Sequence, residues 1–129
     1  MNTQHILIVD DEVALAQALG EKLKSGGYLV EVSHSGEVAL ELLRNHRYDL
    51  ILLDILMPGI NGWEVLEELQ GKGQSVIVIS NLSQPSDRQK SISLGAKDYW
   101  IKSEMSLAEM VEHIRAFLAL QAAVPVLNQ

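Results

Sequence analysis

The sequence of 129 residues contains no cysteine, which excludes disulfide bridges, thiolate nucleophiles and zinc sites built on thiolates. It has no apolar run near the roughly 20 residues that cross a bilayer, and no basic and apolar leader of the secretory kind. We therefore expect a cytoplasmic protein without a membrane segment. Basic residues are fewer than acidic ones, 10 against 17, and the net charge of −7 argues against direct nucleic-acid binding.

Short apolar runs alternate with helical patterns along the chain. Runs typical of strands lie at His5–Val9, Leu29–Ser33, residues 50–54, Val76–Ser80 and residues 99–101. Helical spacing is found at Val13–Ser25, at Gly36–Asn45, from about residue 63, at residues 85–94 and at residues 106–122. Strands that alternate with helices predict an α/β fold with a parallel sheet covered on both faces. The length fits one domain over residues 1–122, with residues 123–129 as a tail or linker.

The apolar stripes of the helices predict which side chains are buried. Expected core positions of the first two helices are Val13, Ala16, Leu19, Leu23, Val38, Ala39, Leu42 and Leu43. The fourth helix should be thinly packed, because only Ile92 and Leu94 supply substantial apolar surface. The last helix should begin at Ser106 as its N-cap, with Glu109 completing a capping box.

Aspartates mark the ends of two apolar runs. Asp10 and Asp11 follow the first run, and Asp54 ends the third. The carboxyl ends of parallel strands share one edge of the sheet, where open α/β folds bind ligands. Three carboxylates there repel one another unless a cation lies between them, and hard oxygen ligands suit Mg²⁺. For Asp10-Asp11-Glu12 alone, capping of the first helix is an equally good explanation, but Asp54 at the matching strand end favours the metal site.

Two further polar residues are expected at the same edge. Ser80 and Lys102 each stand where an apolar strand ends. A serine there is usually a turn former and a lysine is usually a solvated charge. Together they offer a hydroxyl and an ammonium group that could hold the oxygens of a phosphoryl group on Asp54.

The combination resembles the receiver domains of two-component response regulators, from about residue 5 to residue 120. The resemblance rests on Asp10-Asp11, Asp54 with Met57-Pro58-Gly59 and Gly62, Ser80, Gly95-Ala96, Tyr99 and Lys102. It implies a doubly wound, flavodoxin-like fold with five parallel strands in the order 2-1-3-4-5 and five helices.

The resemblance also implies a role for each site residue. Asp54 would be the phosphoacceptor, and Asp10, Asp11 and Asp54, with the backbone carbonyl of Leu56, would bind Mg²⁺. Ser80 and Lys102 would bind the phosphoryl oxygens, and Tyr99 would be an aromatic switch that turns inward as Ser80 moves.

The implied function is phosphorelay signalling by a switch that is not an enzyme. Asp54 would accept a phosphoryl group from a histidine kinase or phosphotransfer protein. The face formed by the fourth helix, fifth strand and fifth helix would then change and bind an effector, or a second copy of the chain. The sequence departs from the family at Ser103, where a proline after a cis peptide is usual, and at Asn81, where a very small residue is preferred. We expect a reshaped trans loop at Ser103.

Three other functions compete with this interpretation. An aspartyl phosphohydrolase of the dehalogenase-like superfamily needs an acid two residues after its nucleophile, and Leu56 stands there. A flavodoxin-like FMN carrier would have to hold a phosphate against the acidic edge, which repels the phosphate unless a metal ion intervenes. A pseudo-receiver would keep the fold without being phosphorylated, and Asn81 and Ser103 are the residues that support this alternative. The sequence is compatible with a stand-alone receiver and with a receiver excised from a longer protein.

Overall fold

A sheet of five parallel strands forms the centre of the computed structural model, which describes residues 3–123. The strands are β1 (His5–Val9), β2 (Leu29–Ser33), β3 (Leu50–Leu53), β4 (Val76–Ser80) and β5 (Asp98–Ile101). They pair in the order β2-β1-β3-β4-β5, and every pair is parallel. The predicted fold and strand order are confirmed.

Five helices connect and flank these strands. They are α1 (Val13–Ser25), α2 (Gly36–Asn45), α3 (Gly62–Leu69), α4 (Pro85–Ser93) and α5 (Leu107–Ala123), and a 3-10 turn spans Lys102–Glu104. Ser106 accepts a hydrogen bond from the amide of Glu109, whose carboxylate accepts one from the amide of Ser106, as the predicted capping box requires. Helix α5 extends one residue into the predicted tail, and residues 124–129 lie outside the described part of the chain.

The strand ends differ from the sequence prediction at two places that matter for the site. Strand β3 stops at Leu53, so Asp54 follows the strand and is not its last residue. Strand β5 begins at Asp98, one residue earlier than predicted. Both shifts lie at strand ends, where the ladder hydrogen bonds give way to turns.

Side chains of the central strands alternate between two cores, one on each face of the sheet. Leu7 and Val9 face the core that α2 and α3 cover, whereas Ile6 and Ile8 face the core that α1 and α5 cover. Strand β3 behaves in the same way and is buried along its whole length. Burial on both faces explains why these strands are almost wholly apolar in sequence.

Two residues predicted in the core are exposed. Val13 and Val38 lie in the first turns of α1 and α2, and their exposed fractions are 47% and 50%. Leu40 is buried in α2 although it was not among the expected positions. The predicted stripe of α2 was therefore displaced around the helix, because spacing gives the period of a helix but not the rotation at which it meets the sheet.

Helix α4 is as thinly packed as its sequence predicts. Its one buried residue is the polar Ser91, and Ile92 is exposed. Within residues 3–123, every helix falls short of the length and hydrophobicity that a membrane span requires.

Candidate acidic site at the carboxyl edge of the sheet

Three aspartates meet where β1 and β3 end. Strands β1 and β3 are neighbours in register, with Val9 opposite Leu53, so Asp10 and Asp54 emerge side by side. One carboxylate oxygen from each of Asp10, Asp11 and Asp54 lies within 4.8 Å of the others. Asp10 and Asp54 are buried, each 5% exposed, and Asp11 faces solvent. The predicted juxtaposition of these acids is present.

Short turns fix the two buried carboxylates. Asp10 Oδ1 accepts a hydrogen bond from the amide of Glu12 at 2.9 Å, and Asp54 Oδ1 accepts one from the amide of Leu56 at 3.3 Å. Each aspartate thus bonds the backbone two residues ahead, as aspartates do in turns. The second carboxylate oxygen of each aspartate remains available for other partners.

The turn after Asp54 requires a glycine. A Cβ on Gly62 would lie 2.4 Å from the backbone oxygen of Asp54, which is far inside van der Waals contact. The Gly62 amide donates to the carbonyl of Ile55 at 2.9 Å. Helix α3 therefore begins directly against the backbone that carries Asp54.

Lys102 brings a positive charge into the acidic cluster. Its Nζ lies 2.8 Å from Asp10 Oδ2 and 3.2 Å from Asp54 Oδ2, and its side chain is buried. A third carboxylate, that of Glu12, is 3.2 Å from the same nitrogen. The sequence prediction did not include Glu12 in the site. The signal that could have found it was a third consecutive acid, directly after Asp10-Asp11.

Burial and charge shift the pKa values in this cluster. Burial, with a smaller contribution from the negative charge of Asp10, raises the pKa of Asp54 to about 6, although Lys102 acts in the opposite direction. Burial would lower the pKa of Lys102, but its hydrogen bonds and charge interactions with Asp10 and Asp54 raise it above the usual range. At neutral pH the site therefore holds an ionised Asp54 beside a permanently charged ammonium group.

Ser80 and Tyr99 converge on the loop before α4. Ser80 is fully buried at the end of β4, and its hydroxyl accepts a hydrogen bond from the amide of Leu82 at 3.3 Å. The hydroxyl of Tyr99, whose ring is buried, donates to the carbonyl of Leu82 at 2.6 Å. Both side chains thus form a hydrogen bond with the backbone of Leu82, so a movement of Leu82 would change both hydrogen bonds.

The remaining predicted positions border this group. The side chain of Leu56 is 53% exposed, and its amide faces Asp54. Asn81 and Ser103 are exposed. The peptide between Lys102 and Ser103 is trans and lies in the 3-10 turn, as expected for a loop without proline.

The donor set fits a hard divalent cation. It consists of three carboxylates from two neighbouring strand ends, and within residues 3–123 this is the one group of three or more metal-ligating side chains close enough to share an ion. Oxygen ligands without imidazole or thiolate are those that Mg²⁺ prefers. Two of the three acids already interact with Lys102, so an ion would join a cluster that is partly neutralised.

Comparison with known proteins agrees with this geometry. The family model of the response regulator receiver domain matches residues 6–115. The probable transcriptional regulatory protein SilR of Salmonella typhimurium is 34% identical over 115 residues, which are 88% of this chain and 50% of SilR. Response regulator MprA of Mycobacterium tuberculosis is 35% identical over 115 residues, again covering 88% of this chain and 50% of the relative.

A solved structure extends the likeness to the backbone. The CheY-like receiver domain protein from Methanospirillum hungatei superimposes with a TM-score of 0.86 at 28% identity, over 94% of this chain and 98% of that one. The chain spans about half the length of the curated relatives that it matches. The family model covers most of the chain, and the strand order is the one that the resemblance predicted. The chain belongs to the response regulator receiver domain family.

Proposed function

We propose that the chain is a phosphorylation-driven switch in which Asp54 accepts a phosphoryl group. The observation that carries the proposal is the contact of Asp54 with Lys102 beside Asp10 and Asp11, at the carboxyl edge of the sheet. Family membership supports a signalling role of this kind.

Asp54 would be the nucleophile. One of its carboxylate oxygens attacks phosphorus, the bond from phosphorus to the histidine nitrogen or to the oxygen of a small phosphodonor breaks, and the donor leaves with the electron pair. The pKa of about 6 leaves Asp54 ionised at neutral pH, so the attacking oxygen is available. The bond from the Leu56 amide to Oδ1 holds the carboxylate in one orientation for this attack.

Asp10, Asp11 and Asp54, with the backbone carbonyl of Leu56, would hold Mg²⁺. When bound, the ion neutralises negative charge that develops on the phosphoryl oxygens. Lys102 would exchange part of its contact with Asp54 for a phosphoryl oxygen, and the buried position of its side chain strengthens that attraction.

Ser80 and Tyr99 would transmit the change. A phosphoryl oxygen on Asp54 offers the Ser80 hydroxyl a charged acceptor, and Ser80 also binds the Leu82 amide. A shift of Ser80 would therefore move the Leu82 backbone, on which the Tyr99 hydroxyl donates. The loop leads into α4, which is the least apolar of the flanking helices and hence a natural two-state element.

The partners follow from this role. A histidine kinase or phosphotransfer protein would supply the phosphoryl group, and the chain would act in the cytoplasm. The surface of α4, β5 and α5 would bind the effector, or a second copy of the chain after phosphorylation. Residues 1–122 would form the receiver unit, with residues 123–129 as tail or linker.

Chemical labelling tests the proposal. Incubation with Mg²⁺ and acetyl phosphate should add one phosphoryl group to the wild type, and peptide mapping should locate it at Asp54. Asp54→Ala should abolish the label, whereas Glu67→Ala, which removes an exposed carboxylate of α3, should keep it. Label that survives in Asp54→Ala would refute the assignment. A folded wild type that takes no label from acetyl phosphate or from kinases would be a pseudo-receiver.

A further inference from the structure

Helix α4 needs a source of stability other than apolar burial. It borders the site, yet Ser91 is its one buried residue, and Ile92 faces solvent. A helix without an apolar face depends on specific polar contacts with its neighbours. Those contacts therefore determine where α4 lies.

Trp63 of α3 supplies two contacts of this kind. Its indole Nε1 donates to Ser91 Oγ at 3.1 Å, and the same hydroxyl donates onward to the Asp87 carbonyl at 2.9 Å. The Lys90 ammonium lies 4.0 Å from the centre of the indole ring, within the range of a cation–π interaction. One side chain of α3 thus holds two consecutive residues of α4.

The other end of this connection is fixed on the turn that carries Asp54. Trp63 follows Gly62, which lies directly against the backbone of Asp54. A capping box between Asn61 and Glu64 fixes the first turn of α3 around Trp63. The indole therefore projects from a rigid part of the site toward a weakly packed helix.

We propose that Trp63 is a positioning residue that ties α4 to the Asp54 turn, through the bond to Ser91 and the contact with Lys90. The tie deepens the proposed function, because a switch in α4 has to loosen or rebuild it. Phosphorylation that displaces Leu82 pulls on the start of α4, and the Trp63–Ser91 bond resists this displacement. The strength of these two contacts sets how far α4 moves when Asp54 is phosphorylated.

Hydrogen exchange of the α4 amides measures the tie in the unphosphorylated protein. Trp63→Phe keeps an aromatic ring but removes the donor, and Ser91→Ala removes the acceptor. Each should speed exchange of the amides of residues 89–93 by roughly threefold to tenfold, as loss of one hydrogen bond implies. The double variant should exchange more slowly than the product of the two single effects, because both changes remove the Trp63–Ser91 bond, although Ser91→Ala also removes the bond to the Asp87 carbonyl. Unchanged exchange in both single variants, or effects that multiply in the double variant, would overturn the proposal.

The cation–π contact has a matched control. Lys90→Gln and Lys97→Gln remove the same charge from exposed positions, but only Lys90 lies over the indole. In a Trp100→Phe background Trp63 is the one tryptophan, and Lys90→Gln should change its emission while Lys97→Gln should not. Equal spectra for the two variants would exclude Lys90 from the tie. If Trp100→Phe does not fold, the spectrum of Trp63 is the difference between the wild type and Trp63→Phe.

Phosphorylation separates this proposal from the function on which it rests. With Mg²⁺ and acetyl phosphate, exchange in α4 should rise more in Ser91→Ala than in the wild type, and Asp54→Ala should show no response. Absence of label at Asp54, together with faster exchange in the unphosphorylated variants, would refute the proposed function and leave the tie intact. Label at Asp54 with equal α4 responses in Ser91→Ala and the wild type would refute control of the switch by Trp63.

Discussion

Strand β3 and helix α4 both border the acidic site, but different forces hold them. All four residues of β3 are apolar and buried between two cores. Helix α4 buries Ser91 and otherwise depends on bonds such as that from Trp63 and that from Arg88 to the Tyr99 carbonyl. Apolar burial gives the site a fixed half that holds Asp54, and a few polar contacts give it a half that can move.

Truncation of the fixed half should have the largest effect on stability. Leu50→Ala removes a fully buried side chain and should lower the free energy of unfolding by about 3 kcal/mol. Ile92→Ala in α4 should cost less than about 1 kcal/mol, because that side chain is exposed. Urea unfolding of the two variants makes the comparison. Similar losses would mean that α4 is as firmly packed as the sheet.

The buried acid of the fixed half should make stability depend on pH. Asp54 ionises at a higher pH in the folded protein, with a pKa of about 6, than in the unfolded chain. The fold therefore loses stability as the pH rises from the usual aspartate range to about 6, and it does not regain this stability above. In EDTA, wild-type stability should therefore fall relative to Asp54→Asn as the pH rises from 4 to 7. The variant should be more stable at pH 7 by about 2 kcal/mol. Lys102 keeps Asp10 and Glu12 as partners in the variant. A difference that shrinks as the pH rises would contradict the burial argument.

The lifetime of phospho-Asp54 allows a residue beside the fixed half, Leu56, to be compared with a residue beside the half that can move, Leu82. Leu56 belongs to the turn after β3 and Leu82 to the loop before α4, and neither side chain can orient a hydrolytic water by hydrogen bonding. We expect phospho-Asp54 to be hydrolysed severalfold faster in Leu56→Asn and in Leu82→Glu than in the wild type. Leu120→Asn, at a 70% exposed position of α5, is the control. Decay of both variants at the wild-type rate would show that these leucines do not limit access of water.

The exposed acid of the cluster should have the smallest effect. Asp11→Asn removes one of three neighbouring negative charges. In EDTA it should therefore raise the free energy of unfolding by roughly a few tenths of a kcal/mol, and the variant should melt slightly above the wild type. The same variant should gain less stability from added Mg²⁺. Thermal melts with and without the ion measure both effects. A lower melting point in EDTA would show that Asp11 does not repel its neighbours.

Local patterns predicted most of the fold and the acids of the site. Alternation of apolar runs and helical spacing predicted five strands and five helices, and the resemblance supplied their order. The exposure of Val13 and the membership of Glu12 in the site were not predicted. Both depend on where the start of α1 lies relative to the end of the sheet, which the period of a single helix does not contain.

The sequence by itself determined, to within one residue, which residues stand at the strand ends, because two-residue and 3.6-residue periods follow from backbone geometry. Only the tertiary structure decided which of them touch. Lys102 reaches Asp10 across 92 positions of the chain, and Trp63 reaches Ser91 across 28. Contacts of this kind depend on strand order, register and the rotation of each helix on the sheet. They are set when the two cores pack as a whole.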